Sequence, residues 1–362
     1  MSGALWWLLP PLAGLLVALV CADLLILAYG GSPLEVYRLF LAGTWTSPYG
    51  IGQVLFKATP LILTGLSVAV ALEAGLLNVG AEGQLALGAF AMGLVGTYLP
   101  PATPGPLAIA CCLGAGFLGG AAAGALAGAL KAWRGAHEVI VTIMLNFIIL
   151  AKLSDVGKVF YLRESVHTPP IVPAAALGRA SDLPLAGAAA LRGSALNGAL
   201  LVALGSALVL WWLLARTAPG FRLRAVGQGA PAAEAAGIPV GRQMILALGL
   251  AGGLSGLVGA NAVLGYKHYY EEGFSGGIGF MGIAVALVGR SHPAGIVLAA
   301  LLFGTLSQGG LAVNAVLPKE IVDVLEGVII LAVAAAAAVA SGELRRVLAT
   351  TGTGSNPQGN GP

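Results

Sequence analysis

The sequence predicts an all-α membrane protein, a polytopic helical bundle with about ten transmembrane spans. Of its 362 residues, 58% are hydrophobic and only 9% are charged, whereas about 25% are charged in an ordinary soluble domain. So few charges do not cover the surface of a soluble protein of this size, and a chain this apolar does not stay disordered. Its roughly 210 apolar positions are enough for about ten helices of about 20 residues each.

Small residues favour a helical bundle over a β-barrel. The chain contains 55 glycines and many alanine-rich runs, which suit closely packed membrane helices, whereas a barrel shows short segments of alternating polarity. The three cysteines, Cys21, Cys111 and Cys112, lie in apolar runs and form neither a disulfide framework nor a metal-ligand spacing. We therefore expect no metal site, and the net charge of +3 indicates no nucleic-acid surface.

Apolar stretches separated by turn and charge signals define the candidate spans. They are residues 5–29, 51–72, 83–99, 107–130, 138–157, 196–215, 243–264, 278–290, 293–313 and 320–340. The first stretch lacks the basic start of a signal peptide and is too long for one, so we expect a retained helix. The stretch 278–290 is short and follows Gly-Phe-Ser-Gly-Gly, which predicts a broken or re-entrant helix lining a protein cavity.

The distribution of basic residues predicts the orientation. If the N-terminus is cytoplasmic, nine Lys and Arg fall on each side of the membrane, so the count alone does not decide. Those on the inner side crowd into short loops at helix ends, which favours cytoplasmic termini. We expect a transmembrane domain over 1–345, a cytoplasmic connection at about 216–242, an extracytoplasmic loop at about 158–197 and a disordered tail over 346–362.

Two candidate spans carry small residues along one face. Such faces let helix backbones approach closely, because lipid supplies no hydrophobic drive between helices. Packing within the chain is favoured over a subunit interface for both. The two sets are Gly116, Gly120, Gly124 and Gly128, and then Gly249, Gly252, Gly253, Gly256 and Ala260.

The first polar stretch, residues 73–84, lies between two apolar runs. Asn78, Glu82 and Gln84 are costly against lipid, so they face protein, a water-filled cavity or the aqueous interface. The alternative is a short cytoplasmic turn in which Glu82 and Gln84 begin the next helix and Glu82 complements its dipole.

The second polar stretch lies inside a candidate span. Thr142 and Asn146 are four residues apart and therefore share one helix face. An asparagine in a membrane helix bonds to another helix or lines the path of a hydroxylated solute, and the sequence leaves both open.

The third stretch, Arg216 to Arg242, is the longest basic break. Pro231, the strong helix formers from Ala232 to Ala236 and the terminating Gly237 predict a short helix within it. Such a helix suits docking into a groove of a soluble partner, with Glu234 pairing a cation and Arg222 or Arg224 a carboxylate. A plain connecting loop is the alternative.

Together these stretches resemble one family. The motifs are Asn78-Val-Gly-Ala-Glu-Gly-Gln84, Glu138-Val-Ile-Val-Thr-Ile-Met-Leu-Asn146, Gly220-Phe-Arg-Leu-Arg-Ala-Val-Gly227 with Glu234-Ala-Ala-Gly-Ile238, and Gly282-Ile-Ala-Val-Ala-Leu-Val-Gly-Arg-Ser-His-Pro293. In order and spacing they resemble the permeases of binding-protein-dependent ABC importers for simple sugars and nucleosides, relatives of ribose and branched-chain amino-acid permeases. The Gly-Ala-Glu-Gly-Gln element looks most like the nucleoside branch.

The resemblance implies a permease subunit that imports nucleosides across the bacterial cytoplasmic membrane. It implies a second, homologous permease subunit, ATP-binding cassette subunits that hold ATP and Mg, and a solute-binding lipoprotein outside. The chain itself has no Gly-x-x-x-x-Gly-Lys-Ser/Thr phosphate loop and no catalytic constellation, so we expect no enzymatic activity and no cofactor. The candidate solute contacts are Asn78, Glu82, Gln84, Thr142, Asn146, Phe147 and Phe280.

In this family the stretch matching Gly220 to Ile238 is the coupling loop that rests on the ATPase. The resemblance therefore implies ATPase contacts from Gly220, Arg222, Arg224, Glu234, Ala235, Ala236 and Gly237. Met281 departs from the family pattern, in which a polar residue often follows the Gly-Phe pair.

Two other functions stay open on the sequence. One is a permease for a simple sugar such as ribose. The other is a proton-coupled secondary transporter, which places an acid deep in the membrane. Asp23 is the candidate that lies well inside an apolar run; Asp155, Asp323 and Glu326 are further acids.

Overall fold

A computed structural model of the protein describes residue 16, residues 19–182 and 188–314, and beyond these 316–318, 321, 324, 327, 328, 331 and 332. Within these residues the regular elements are helices and no strand forms, so the all-α class is confirmed. The expected tail 346–362, the start of the first span, most of the span 320–340 and the acids Asp323 and Glu326 lie outside the described residues.

Twelve α-helices are described, together with a π-helical turn over Ala260–Lys267. In chain order they are α1 (Leu19–Ala28), α2 (Pro33–Thr44), α3 (Pro48–Glu73), α4 (Ala81–Tyr98), α5 (Gly105–Arg134), α6 (Glu138–Phe160), α7 (Ala199–Arg216), α8 (Ala218–Gln228), α9 (Ala230–Ala235), α10 (Val240–Gly256), α11 (Ile278–Val288) and α12 (Pro293–Val313).

The described helices do not confirm ten spans. Six are long and apolar enough to cross a membrane: α3, α5, α6, α7, α12, and α10 continued to Lys267 by the π-helical turn. A seventh span results if α1 and α2, which are bent by 117° relative to each other, count as one. The stretch 83–99 forms α4, which carries Glu82 and Gln84, and the stretch 278–290 forms α11 of only 11 residues. Ten therefore stays a prediction.

Glycine faces hold α5 against α10. A side chain at Gly120 would overlap the carbonyl oxygen of Gly252, and one at Gly256 would overlap that of Gly116. Gly128 meets the other helix similarly, since an added Cβ would lie 2.7 Å from the Cα of Ile245. The prediction that these small residues serve packing within the chain is confirmed, and this close approach is what van der Waals association in lipid requires.

The chain divides into two units. One spans residues 42–308, and the other combines residues 1–41 with 309–362. In the second unit Ala22, Ile26, Val36, Val313 and Leu317 form a buried core. The Tyr37 hydroxyl there donates a hydrogen bond of 2.7 Å to Asp23, so this acid has a protein partner.

The long connection between α6 and α7 contacts the segment that follows α10. Its backbone bonds to the segment after α10: Thr168 N donates to Tyr270 O at 2.9 Å, and Leu177 N donates to Leu264 O at 2.8 Å. Short 3₁₀ turns over Pro173–Ala175, Ala180–Asp182 and Ala188–Leu191 complete it. Helix α6 ends at Phe160, within the expected loop 158–197, and the extracytoplasmic position of that loop stays a prediction.

Candidate functional site

A group of buried polar side chains joins several helices inside the larger unit. Each is at most 5% exposed, and each bonds to at least one group outside its own helix. We call this group the polar cluster; its members are Ser67, Asn78, Glu82, Gln84, Asn146, Ser255 and Ser275.

Asn78 is the hub of the polar cluster. Its Nδ2 donates to Gln84 Oε1 at 2.7 Å and to Ser67 Oγ at 3.1 Å, and its Oδ1 accepts from Gln84 Nε2 at 3.0 Å and from Gly80 N at 3.1 Å. Ser255 on α10 donates to Ser67 on α3 at 2.9 Å. Because every amide hydrogen and lone pair of Asn78 is engaged, the turn before α4 is held against α3 and α10.

Asn146 on α6 caps the start of α4 from a distance. Its Oδ1 accepts from Gly83 N at 2.8 Å, and its Nδ2 donates to Val79 O at 2.9 Å. The first N–H groups of a helix lack partners within the helix and need an acceptor. Gly80, the cap residue itself, has no side chain to supply one, so the neighbouring helix does.

Glu82 holds the segment that precedes α11. Its Oε1 accepts from Ser275 Oγ at 2.5 Å and from Gly277 N at 3.0 Å, and its Oε2 accepts from Gly279 N at 2.7 Å. Three donors suit a carboxyl group that acts only as an acceptor. Gly277 has φ +88°, a conformation that favours glycine, and at Gly279 an added Cβ would lie 2.6 Å from Glu82 Cα.

The segment 216–242 folds into α8 and α9. Thr217 begins α8 by accepting from Gly220 N at 3.2 Å. Glycines seat α8 on the body of the protein: side chains at Gly220 and Gly227 would overlap the carbonyl oxygens of Leu213 and Glu73. The predicted short helix is confirmed as α9, and Gly237 follows it with φ +79°.

An aromatic group packs beneath the long connection. The ring centroids of Phe90 and Tyr270 are 5.2 Å apart, and Tyr161 stacks on Tyr270 at 6.5 Å. Burial, aided by the nearby charge of Glu272, raises the pKa of Tyr161 to about 12. Burial also raises the pKa of Tyr270. Both phenols therefore stay neutral at physiological pH and serve as packing groups.

Residues 50–334 match a protein family described as branched-chain amino acid transport system / permease component. The match spans most of the chain. The protein belongs to this permease family. The resemblance drawn from the sequence motifs is thereby confirmed, and the apolar helices of the structure agree with a multi-pass membrane protein.

Curated relatives of this permease come from bacteria and an archaeon. It is 35% identical to the guanosine ABC transporter permease NupP of Bacillus subtilis, over 92% of this chain and 94% of the relative. It is 34% identical to the nucleoside ABC transporter permease NupB of Lactococcus lactis, over 90% of each chain. The glucose ABC transporter permease TsgB13 of Haloferax volcanii is 30% identical, over 89% of this chain and 85% of the relative. No solved structure matches the sequence.

The permease brings four of its seven candidate solute contacts together in the polar cluster. The sequence left three environments open for Asn78, Glu82 and Gln84: protein, a water-filled cavity or the aqueous interface. In the structure all three side chains are buried and form hydrogen bonds with protein groups. Asn146 forms the interhelical bonds that its sequence position allowed. Whether these side chains also contact solute stays a prediction.

The other three candidates lie apart from the hydrogen bonds of the polar cluster. Thr142 is buried against Gly80 and donates to Glu138 O of its own helix at 2.8 Å. Phe147 is 65% exposed on α6 and Phe280 is 47% exposed on α11. Met281 is half-buried and follows Phe280 in α11.

Sequence reasoning missed the three serines of the polar cluster. Ser67 and Ser255 are 188 residues apart, and Ser275 lies 193 residues from Glu82. A single serine in an apolar run carries no sign of its partner. The one available signal was Ser275 within the glycine-rich stretch before α11.

The permease exposes only part of segment 216–242. Arg222 is exposed on α8, as are the residues from Glu234 to Gly237 at the end of α9. Gly220 is buried against α7, and Arg224 is half-buried. The residues implied as ATPase contacts thus separate into an exposed set and an inward-facing pair.

Proposed function

We propose that this permease is the membrane-spanning subunit of an ATP-driven importer that carries nucleosides across the bacterial cytoplasmic membrane. The observation that carries the proposal is the similarity to NupP and NupB, which extends over at least 90% of each chain and includes the polar cluster and segment 216–242. Both relatives are named for guanosine or nucleosides.

The energy source in this proposal is a separate ATP-binding cassette subunit, which holds ATP and Mg. The chain lacks the Gly-x-x-x-x-Gly-Lys-Ser/Thr phosphate loop. A second permease subunit and an extracytoplasmic solute-binding lipoprotein complete the assembly. Segment 216–242 and both termini then face the cytoplasm, and the long connection between α6 and α7 faces outward.

We assign the docking of the ATPase to the exposed part of segment 216–242. Glu234 and Arg222 offer charges of opposite sign, and Ala235, Ala236 and Gly237 are small exposed residues at the end of α9 and directly after it. Gly220 contributes by seating α8 on α7. A short exposed helix bordered by glycines suits a groove on a soluble partner.

The contacts of α8 suggest how a displacement of segment 216–242 is transmitted to the polar cluster. Gly227 of α8 lies against the backbone of Glu73 and Gly75 at the end of α3. Gly75, at φ +72°, opens the turn that leads to Asn78. Displacement of α8 therefore acts on the backbone that the polar cluster holds, and α4 and α11 are tied to that cluster through Asn146 and Glu82.

We place the solute path beside the polar cluster. Gln84 and Asn146 each make one donor and one acceptor bond through their side-chain amides among the described residues, so each retains an amide hydrogen and a lone pair for a sugar hydroxyl. The exposed rings of Phe147 and Phe280 offer stacking surfaces for a base. Asn78, Glu82 and Thr142 act by holding the shape of the path.

Competition for uptake tests the substrate class. The complete importer, reconstituted in proteoliposomes, should take up radiolabelled guanosine when ATP is supplied on the cytoplasmic side of the membrane. Excess unlabelled guanosine should suppress this uptake, and excess ribose or glucose should leave it unchanged. Suppression by glucose alone would instead favour a sugar permease, the second candidate, which the similarity to TsgB13 supports.

A further inference from the structure

A polar cavity lies where α3, α7, α8 and α12 approach one another. Its volume is about 220 Å³. The polar and charged side chains that line it are Glu73, Arg224, Arg290, Ser291 and His292. The Arg224 guanidinium lines the cavity together with the Glu73 carboxyl group, and Arg290 has a partner of its own in the structure.

Arg224 is the group that points to an unfilled ligand position. Its Nε is buried and has no hydrogen-bond partner among the described residues. A buried donor without an acceptor destabilises the protein, and an anion in the cavity would supply the acceptor. Arg224 is thereby distinguished from Arg222, which is exposed two residues earlier on the same helix.

The start of α12 strengthens the preference for an anion. His292 and Pro293, at the beginning of this 21-residue helix, line the cavity, and a helix N-terminus carries partial positive charge. The backbone N–H of Ala294 donates to His292 Nδ1 at 3.3 Å. The other ring nitrogen, Nε2, then carries the hydrogen and is free to donate.

An apolar groove continues from this cavity. Its volume is about 640 Å³, and it shares Trp211, His292 and Pro293 with the cavity. Its walls come from α7 and α12, with Leu204 and Leu208 on one and Val297 and Leu298 on the other. Both helices are long and apolar enough to span the membrane, so the groove runs at the depth of lipid acyl chains.

We propose that an anionic phospholipid binds here, with its phosphate in the cavity and an acyl chain in the groove. The cavity lies at the ends of two spans, where headgroups lie, and Trp211 near the end of α7 occupies the level typical of interfacial aromatic residues. A free phosphate would fill only the cavity and leave the groove empty. The Arg224 guanidinium and the positive N-terminus of α12 favour an anionic headgroup over a zwitterionic one.

The proposal requires only that the chain is embedded in a membrane, and it stands apart from nucleoside transport. It assigns Arg224 to lipid binding, whereas Arg222 stays with the exposed docking surface. If lipid binding fails, the proposed function is untouched, because the readout below is bound lipid and uses no nucleoside and no ATPase.

Native mass spectrometry of the purified, delipidated full chain tests this inference. The chain is titrated in detergent with dioleoyl phosphatidylglycerol or dioleoyl phosphatidylcholine, which share their acyl chains. We expect phosphatidylglycerol to bind at least about tenfold more tightly. Arg224→Gln should reduce that affinity about tenfold, and the matched control Arg222→Gln, with the same charge change on the same helix, should leave it unchanged.

The groove is tested with acyl chains and with a filling variant. Dioctanoyl phosphatidylglycerol should bind more weakly than the dioleoyl form, and Val297→Trp should weaken the dioleoyl form while the chain keeps its melting temperature. The acyl-length comparison decides the matter if the tryptophan variant does not fold.

Three results would overturn the proposal. The first is equal loss of phosphatidylglycerol with Arg222→Gln and Arg224→Gln, which indicates general charge attraction. The second is binding of inorganic phosphate as tight as that of the lipid and insensitive to Val297→Trp, which indicates an anion site. The third is a disulfide, formed in the assembled importer with copper phenanthroline as oxidant, between Leu208→Cys and a cysteine introduced into the second permease subunit, which indicates that protein covers the groove. The chain used for this test has serine in place of Cys21, Cys111 and Cys112.

Discussion

The polar cluster and segment 216–242 use the same residue types in opposite ways. In the polar cluster Glu82 is 5% exposed and receives hydrogen bonds from Ser275, Gly277 and Gly279. In the segment Glu234 is exposed near the end of a six-residue helix. A carboxyl group is costly to bury unless donors surround it, so Glu82 serves the fold, whereas Glu234 is available to a partner.

This difference separates stability from coupling. Removing a partner from a buried hydrogen-bonded group costs about 1–3 kcal/mol for each group left unsatisfied. Changing an exposed polar residue changes stability by less than about 0.5 kcal/mol. Variants of the polar cluster should therefore lose folded protein, and variants of the exposed segment should lose partner binding with the fold intact.

Glu82→Gln should have the largest effect on stability. Glutamine places an NH₂ group where the carboxyl group accepts from backbone and hydroxyl donors, so at least one buried donor is left unsatisfied. We expect a loss of about 3 kcal/mol, measured by unfolding in mixed detergent micelles. The control is Glu234→Gln, the same change at an exposed site; equal destabilisation of both variants would contradict the distinction.

Asn146→Ala should have the next largest effect. The change deprives Gly83 N and Val79 O of their partner, and we expect a cost of about 2 kcal/mol. Thr142→Val is the matched control, four residues away on the same helix face, because its hydroxyl bonds only within α6. It should cost less than about 1 kcal/mol, and a larger cost for it than for Asn146→Ala would be inconsistent with long-range capping.

Gly227→Ala tests the junction between the two regions. The added methyl group meets the carbonyl oxygen of Glu73 and should displace α8 at a cost of about 1–3 kcal/mol. Because this contact is our proposed route from segment to cluster, ATP-driven uptake per folded molecule should also fall. Gly229→Ala is the control, since its added Cβ would meet only Ala232, at 3.8 Å. If the folded Gly227→Ala variant takes up solute as fast as the parent, the contact between Gly227 and Glu73 does not transmit the displacement of α8.

Glu234→Lys should change stability least and coupling strongly. We expect unfolding within about 0.5 kcal/mol of the parent and at least about a tenfold loss of ATPase co-purification and transport, as when like charges meet at an interface. Ala232→Ser on the same helix controls for local disturbance. Full transport with ATPase subunits still bound would show that the docking surface lies elsewhere.

Local pattern explains which parts of the fold could be predicted. The glycines from 116 to 128 repeat at helical spacing, and the run Pro231 to Gly237 contains its own start and stop signals, so both were predicted. Helix α8 was not predicted, because Gly220 and Gly227 disfavour a helix until their contacts with α7 and α3 are known. The stretch 278–290 was predicted to be a short, broken or re-entrant helix, and α11 has only 11 residues.

The site was predicted as residues but not as an arrangement. Asn78, Glu82, Gln84 and Asn146 stood out because polar groups in apolar surroundings need partners. Their hydrogen-bond partners could not be recognised in the sequence, because Gly277 and Gly279 contribute backbone N–H groups and Ser67 contributes an ordinary hydroxyl. Such pairings depend on tertiary packing between segments far apart in sequence.

Uptake in proteoliposomes distinguishes a gate driven by ATPase subunits from a carrier that works alone. Guanosine accumulation is measured for the complete importer with and without ATP, and for this chain alone under an inward proton gradient. We expect accumulation only with the complete importer and ATP. Uphill accumulation by the chain alone, driven by protons, would contradict the assignment and favour a secondary transporter.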